Sequence, residues 1–135
     1  MGAQSSKKPV VDAAIKIPTT SGDFLRAWLE ATKPIHKLTA SEMNFAALLL
    51  KKREEIAKDL NSKDSALIEK LLFDKDMLAT ICQEAGIKSG HMQIMLRKMR
   101  LRGVLNGKRF NPLYVPVWRK DKPFRLLFLF LFNES

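Results

Sequence analysis

Residues 74–103, DKDMLATICQEAGIKSGHMQIMLRKMRLRG, constrain the fold more tightly than any other stretch of the chain. Two short apolar periodicities of helical spacing flank one glycine, Gly86. The first predicts a helix from about Lys75 to Glu84. Gly86 makes the corner, Ser89 caps a second helix that runs to about Arg102, and Gly103 stops it. Two short helices that cross at a tight turn share a core only if the facing positions are apolar and the point of closest approach is small. Ile81, Ala85, Ile87, Met92 and Met95 meet the first demand and Cys82 the second. The stretch reads as a helix-turn-helix.

Charge falls on the same part of the chain. From residue 88 to residue 125 there are eleven Lys or Arg, at 88, 97, 98, 100, 102, 108, 109, 119, 120, 122 and 125, and one acid, Asp121. The segment's net +10 equals that of the whole protein, so everything outside it balances. A solvated surface mixes both signs, whereas an excess gathered on one motif points to a polyanion. The competing reading is a basic surface that merely keeps the protein soluble. Motif and charge select the segment independently, which favours nucleic acid.

A chain of 135 residues at 46% hydrophobic content can bury one core, so a single domain with tails is expected. One cysteine excludes an intramolecular disulfide, and it stands far from both histidines, so no metal or cofactor is expected. The longest apolar run, 126–132, is far short of the roughly 20 residues of a membrane span. No apolar core of a secretory signal appears at the N-terminus. These features predict a reducing, cytoplasmic setting. The acids are scattered, and Asp74, Asp76 and Glu84 on the motif's first helix favour its positive N-terminus rather than hydrolysis. With no phosphate-cradling glycine loop and no Ser-His-Asp set, the expectation is a protein that is not an enzyme.

Residues 1–20, with prolines at 9 and 18, read as a flexible N-terminal arm. Met1-Gly2 with Ser6 and the pair Lys7-Lys8 fits an N-myristoylation pattern, which would give reversible membrane attachment. The arm can equally add phosphate contacts or tie onto a neighbouring subunit. Phe24, Leu25, Trp28 and Leu29 predict a short helix over 21–33, capped by Ser21 and ended by Pro34. Its aromatics are expected in the core or a dimer contact rather than as a nucleobase platform. Thr39-Ala40-Ser41-Glu42 is a capping box, opening a helix to about Leu60 with Met43, Ala46, Ala47, Leu50, Ile56 and Leu60 on its buried side. Lys51 to Glu55 form a mixed charged band. Asp64 starts another short helix, with Leu67, Ile68, Leu71 and Leu72 packing inward.

Asn106-Gly107, between Val104-Leu105 and Lys108-Arg109-Phe110, predicts a hairpin whose two central residues take positive φ. A hairpin behind the second helix is the wing of a winged helix-turn-helix. Pro112 and Pro116 limit the next stretch to an edge or irregular strand. The last segment, FRLLFLFLF, has no polar face, so a strand there must be covered on both sides or paired at an edge. One face is expected on the helices. Full burial within the chain and a homodimer through Phe128, Phe130 and Phe132 are the alternatives for the other. The expected fold is mainly α with a small C-terminal β-sheet, as a winged helix-turn-helix domain over 21–135 that includes the N-terminal helix and a C-terminal apolar strand.

Over about residues 38–118 the order of elements resembles the winged helix-turn-helix superfamily. Leu38 to Glu42, leading into a long apolar helix, is similar to the opening of MarR-like regulators. The chain also resembles short proteins of tailed phages of Bacteroidetes, the crAss-like group. The pieces are Phe24, Trp28 and Leu29; Lys37 to Glu42; Gly103 to Leu105; Asn111-Pro112; and Leu126 to Phe132. That resemblance implies a phage-encoded protein, located in host cytoplasm or virion, and supplies no activity. The chain departs from the MarR-like pattern by ending in an apolar strand where those proteins dimerise through long terminal helices.

In this arrangement the second helix enters the major groove of double-stranded DNA. Met92, Met95, Leu96 and Met99 form its buried stripe. Ser89, Gln93 and Arg97 are the candidate base contacts, since Gln pairs with adenine and Arg with guanine, a phosphate being the alternative for Arg97. Lys88, Lys98, Arg100, Arg102, Lys108 and Arg109 are candidate phosphate contacts, which hold register without reading sequence. Gly90 offers no side chain to a base and Ile94 is apolar where polar residues are usual, which weighs against a sequence reader; a thymine methyl and a protein interface are the alternatives for Ile94. Two functions remain open: a DNA-binding regulator or an accessory factor of replication or packaging, and a virion or assembly protein that uses the fold and terminal strand for contacts with itself or other phage proteins.

Overall fold

The computed structural model describes residues 13–134, and between Phe24 and Leu101 the chain is almost wholly helical. Six helices occur among the described residues: α1 (Phe24–Ala31), α2 (Lys33–His36), α3 (Ala40–Leu60), α4 (Ser65–Leu72), α5 (Lys75–Ala85) and α6 (Ser89–Leu101). A two-stranded antiparallel sheet, β1 (Leu105–Asn106) and β2 (Arg109–Phe110), comes next, then one 3-10 turn at Pro112–Tyr114. None of the helices is long and apolar enough to cross a membrane. The myristoylation pattern at Gly2 and most of the N-terminal arm lie outside the described residues, and 13–20 are exposed without regular structure.

The 21-residue α3 is the axis on which α1, α4, α5 and α6 pack. Its start is fixed by the capping box. The Glu42 N–H donates to Thr39 Oγ1 (3.3 Å), and the Thr39 N–H donates to Glu42 Oε1 (2.9 Å). Met43, Ala46, Leu50 and Ile56 are buried as predicted, and Phe45 and Leu49 join them. Leu60 lies exposed at the helix end, where Asn61 turns the chain with φ 48°. Burying side chains of this size contributes roughly 2 kcal/mol each, which is how the other helices come to be held on this one.

Local signals misplace several boundaries. Ser21 caps nothing: α1 begins after Asp23, and Thr20 supplies the local bonds there. Pro34 does not end the segment but sits in the first turn of α2, where its missing N–H is harmless. In α4 the buried residues are Ile68, Glu69 and Leu72, followed by Phe73, while Leu67 and Leu71 stay exposed. The helix is thus rotated by about one position from its expected stripe, roughly 100°. Lys88, not Ser89, occupies the cap position of α6, with no side-chain bond.

The hairpin forms one residue later than expected. Leu105 pairs with Phe110 and Asn106 with Arg109, so the turn residues are Gly107 and Lys108. Gly107 alone has positive φ (66°), as the first turn position of a II′ hairpin requires. Asn106 is left as a strand residue.

Beyond Tyr114 the chain returns to α1. The Trp28 indole N–H donates to the Tyr114 carbonyl (3.0 Å), and the Trp118 indole N–H donates to Glu54 Oε2 (2.6 Å). Phe24 meets Trp118 and Phe124 at ring-centroid distances of 4.6 and 5.0 Å, and Trp28 meets Phe124 at 5.5 Å. The aromatics of α1 are core, as expected. The terminal strand is not formed: residues 123–134 carry no regular structure and take part in no hydrogen bond among the described residues. Exposure alternates at first (Leu126 39%, Leu127 71%, Phe128 45%, Leu129 71%) and is then uniformly high through Phe132 at 88%. The phenylalanine row leans on the body and then leaves it. No other strand among the described residues is long enough to pair with this one, which is why no sheet forms.

Candidate nucleic-acid interface

α5 and α6 are joined by residues 86–88. Gly86 (φ 68°) ends α5, its N–H donating to the Gln83 carbonyl while the Ile87 N–H reaches the Cys82 carbonyl (3.1 Å). Both bonds satisfy carbonyls that would otherwise be orphaned, and the left-handed corner that makes them suits glycine. Ile81 and Cys82 of α5 are buried with Met92, Met95, Leu96 and Met99 of α6, and the Cys82 and Met92 sulfurs lie 3.2 Å apart. Gly103 (φ 77°) repeats the device at the end of α6: the Val104 N–H donates to the Met99 carbonyl, and both side chains are fully buried. The hairpin therefore follows α6 without a linker. Arg100 Nε closes the gap from the other side by donating to the Gly107 carbonyl (3.0 Å).

The buried stripe of α6 leaves the rest of that helix open. Ser89, Gln93 and Arg97, spaced by four, form one exposed row, which Arg100 continues toward the hairpin turn. The crest opposite the core carries Gly90, Ile94, Arg97 and Leu101 by helical spacing. Leu101, which periodicity alone did not single out, is 78% exposed and Ile94 46%. The third row holds His91, Lys98 and Arg102, all exposed.

Of the six cations expected at phosphates, three have partners within the chain. Lys98 Nζ lies 3.5 Å from Glu42 Oε2, Arg109 Nε lies 3.3 Å from Glu69 Oε1, and Arg100 holds Gly107 as described. The Lys98 and Arg109 side chains remain more than half exposed, but their carboxylates are only 8% and 4% exposed, so turning either cation to a phosphate leaves a buried acid with fewer partners. Lys88, Arg102 and Lys108, with Arg97, are exposed and make no ion pair or side-chain hydrogen bond among the described residues. The row of Ser89, Gln93 and Arg97, Lys88 and the hairpin cations thus belong to one continuous stretch of the chain from residue 88 through α6 to the hairpin.

Two buried acids, neither of them identified as a site residue from the sequence, hold this surface in place. Burial pushes the Glu42 carboxyl up, but the Thr39 N–H and the nearby Lys98 ammonium outweigh that and hold it below the usual carboxylate range. Glu69 accepts from Arg53 Nε (2.8 Å), from Arg109 and from the Phe110 N–H (3.1 Å), joining α3, α4 and β2 at one carboxylate. The visible signal for Glu42 was the capping box itself. For Glu69 it was a charged residue beside Ile68 and four before Phe73. Away from this surface, burial raises the Glu54 carboxyl, with the Trp118 bond opposing it, and Lys52 is raised by its 2.7 Å bond to Glu84. Among the described residues no three His, Cys, Asp or Glu side chains gather as a metal site would require.

Comparison with protein-family models, with curated proteins and with solved structures finds no match to this chain.

Proposed function

We propose that the protein is a non-enzymatic double-stranded-DNA-binding protein of the winged helix-turn-helix kind, a regulator or an accessory factor of replication or packaging, encoded by a phage. α6 lies in the major groove with Ser89, Gln93 and Arg97 at base edges. Lys88, Arg102 and Lys108 hold flanking phosphates, and Lys98, Arg100 and Arg109 stand behind them. The observation that carries the reading is the junction of an exposed polar row on α6 with a basic hairpin turn, on the segment that holds the chain's whole net charge. Phosphate contacts make affinity fall with salt by a slope of about 0.9 per contact. Converting Lys88, Arg102 and Lys108 together to Ala is therefore expected to lower the slope of log affinity against log salt by about 2 to 3. Fluorescence anisotropy with a duplex between 50 and 200 mM salt measures it, and an unchanged slope removes the proposal.

A second reading, a virion or assembly protein, is favoured by Leu101 and Ile94 on the crest of α6 and by the uncovered apolar end of the chain. On that reading the triple variant binds DNA unchanged, while Leu101→Lys abolishes association with another phage protein.

A further inference from the structure

A groove of about 360 Å³ opens between α3, α4 and α5, on apolar side chains of Ile56, Leu60, Leu71 and Met77. Asp59 and Asp76 stand among its lining residues, which include no Lys, Arg or His. Leu67, one turn before Leu71 on α4, is also exposed and extends the apolar surface. The segment 126–132 is exposed, apolar and without hydrogen bonds, and it is preceded by Lys120, Lys122 and Arg125, none of which forms an ion pair among the described residues. An apolar, acid-lined groove and an apolar segment with a cationic base complement each other in both respects. We propose that the 126–132 segment of one copy docks in the α3–α4–α5 groove of a second copy, with the phenylalanine row, Phe128, Phe130 and Phe132, supplying the inserted side chains.

The groove's volume admits two or three such side chains, and alternate residues of an extended segment present them at about 7 Å intervals. The occupant is a second copy because within one copy no residue of 126–132 lines the groove and the segment stays exposed, up to 88% at Phe132. Reciprocal exchange between two copies covers both surfaces and closes a two-fold dimer. Pairing of two such segments with each other leaves both faces of a two-stranded ribbon in water. Burial in a bilayer leaves an extended backbone without partners.

The inference does not rest on the DNA-binding reading, and its test reads mass rather than nucleic acid. Three proteins are compared by sedimentation velocity, with circular dichroism to verify helix content: the full chain, the chain ending at Arg125, and the double variant Leu60→Lys, Leu71→Lys. Both substituted leucines are already about 40% exposed (41% and 38%), so the fold tolerates the change. The full chain is expected to dimerise, and each altered protein to dissociate at least tenfold more readily. An equimolar mixture of the two altered proteins, one lacking the segment and one lacking the groove, is expected to re-form a dimer through the one intact contact. A monomeric full chain overturns the proposal. So does a groove variant that still dimerises, a mixture that stays monomeric, or flotation of the full chain with phosphatidylcholine–phosphatidylserine vesicles that depends on the segment but not on dimer formation.

Discussion

With its side chain 4% exposed, Glu69 meets three donors, and the two guanidiniums among them come from α3 and β2, far apart in sequence. Removing a buried carboxylate leaves its partners unpaired, which costs several kcal/mol when they cannot reach water. Arg53 is 14% exposed and Arg109 far more, so the loss falls at the lower end. Glu69→Ala is expected to destabilise the protein by about 3 kcal/mol in urea denaturation. Glu69→Gln costs less, because its amide oxygen still accepts the Phe110 N–H. His36 gives a different test. Its Nδ1 accepts the Leu38 N–H (2.9 Å), so the proton sits on Nε2, 2.7 Å from the Leu29 carbonyl. Burial pushes its pKa down, opposed by the Leu29 carbonyl. The unfolded chain then binds the proton first, so stability falls as pH drops below about 6.5 and levels once the folded imidazole also titrates. Thermal melts from pH 7.5 to 5 are expected to show that fall in the native protein and to lose it in His36→Gln.

Gly86 and Gly90 sit on either side of one turn, and a side chain at either would meet no atom within 4 Å. Only backbone conformation separates them. At φ 68° an alanine at 86 is strained by about 1 kcal/mol, whereas in the first turn of α6 an alanine at 90 improves helix propensity by up to about 1 kcal/mol. Denaturation of Gly86→Ala and Gly90→Ala is expected to shift the midpoint in opposite directions. Such corners are legible in sequence because their physics is local. The capping box at Thr39, the helix start at Asp64, and both glycine stops of α5 and α6 were all visible for that reason, although Asp74, read as a helix residue, proves to be the cap of α5. The inward face of α4 was not. Leu67, Ile68, Leu71 and Leu72 make an acceptable apolar stripe alone, and only the demand of Arg53 and β2 for a carboxylate turns Glu69 inward. The hairpin slipped by one residue for a related reason: Asn106-Gly107 and Gly107-Lys108 both fit a two-residue turn. The Asn111 side chain held to the Gly103 carbonyl (3.0 Å) belongs to the register that formed. The exposed row of Ser89, Gln93 and Arg97 was legible from helical spacing, whereas the partners that hold Lys98, Arg100 and Arg109 come from distant sequence or from the turn that slipped.

At the scale of the molecule, cationic α6 and its hairpin stand apart from the acid-lined groove between α3, α4 and α5, which separates two kinds of surface on one small body. The segment beyond Leu126 adds little to either within a single copy. Ending the chain there is expected to change the stability of the monomer by less than about 0.5 kcal/mol, the range of surface changes, measured at concentrations too low for association. A loss of several kcal/mol would mean that the segment is part of the core. The reversal at Gly103 has a consequence for how the molecule handles whatever it grips. Since Val104 is already seated on Met99 one residue past the corner, and Arg100 bolts the turn from the far side, helix and hairpin swing as a single lever with no hinge between them. A ligand that clasps the hairpin tip also fixes the azimuth of α6, and one that rotates the helix must carry the tip through the same arc.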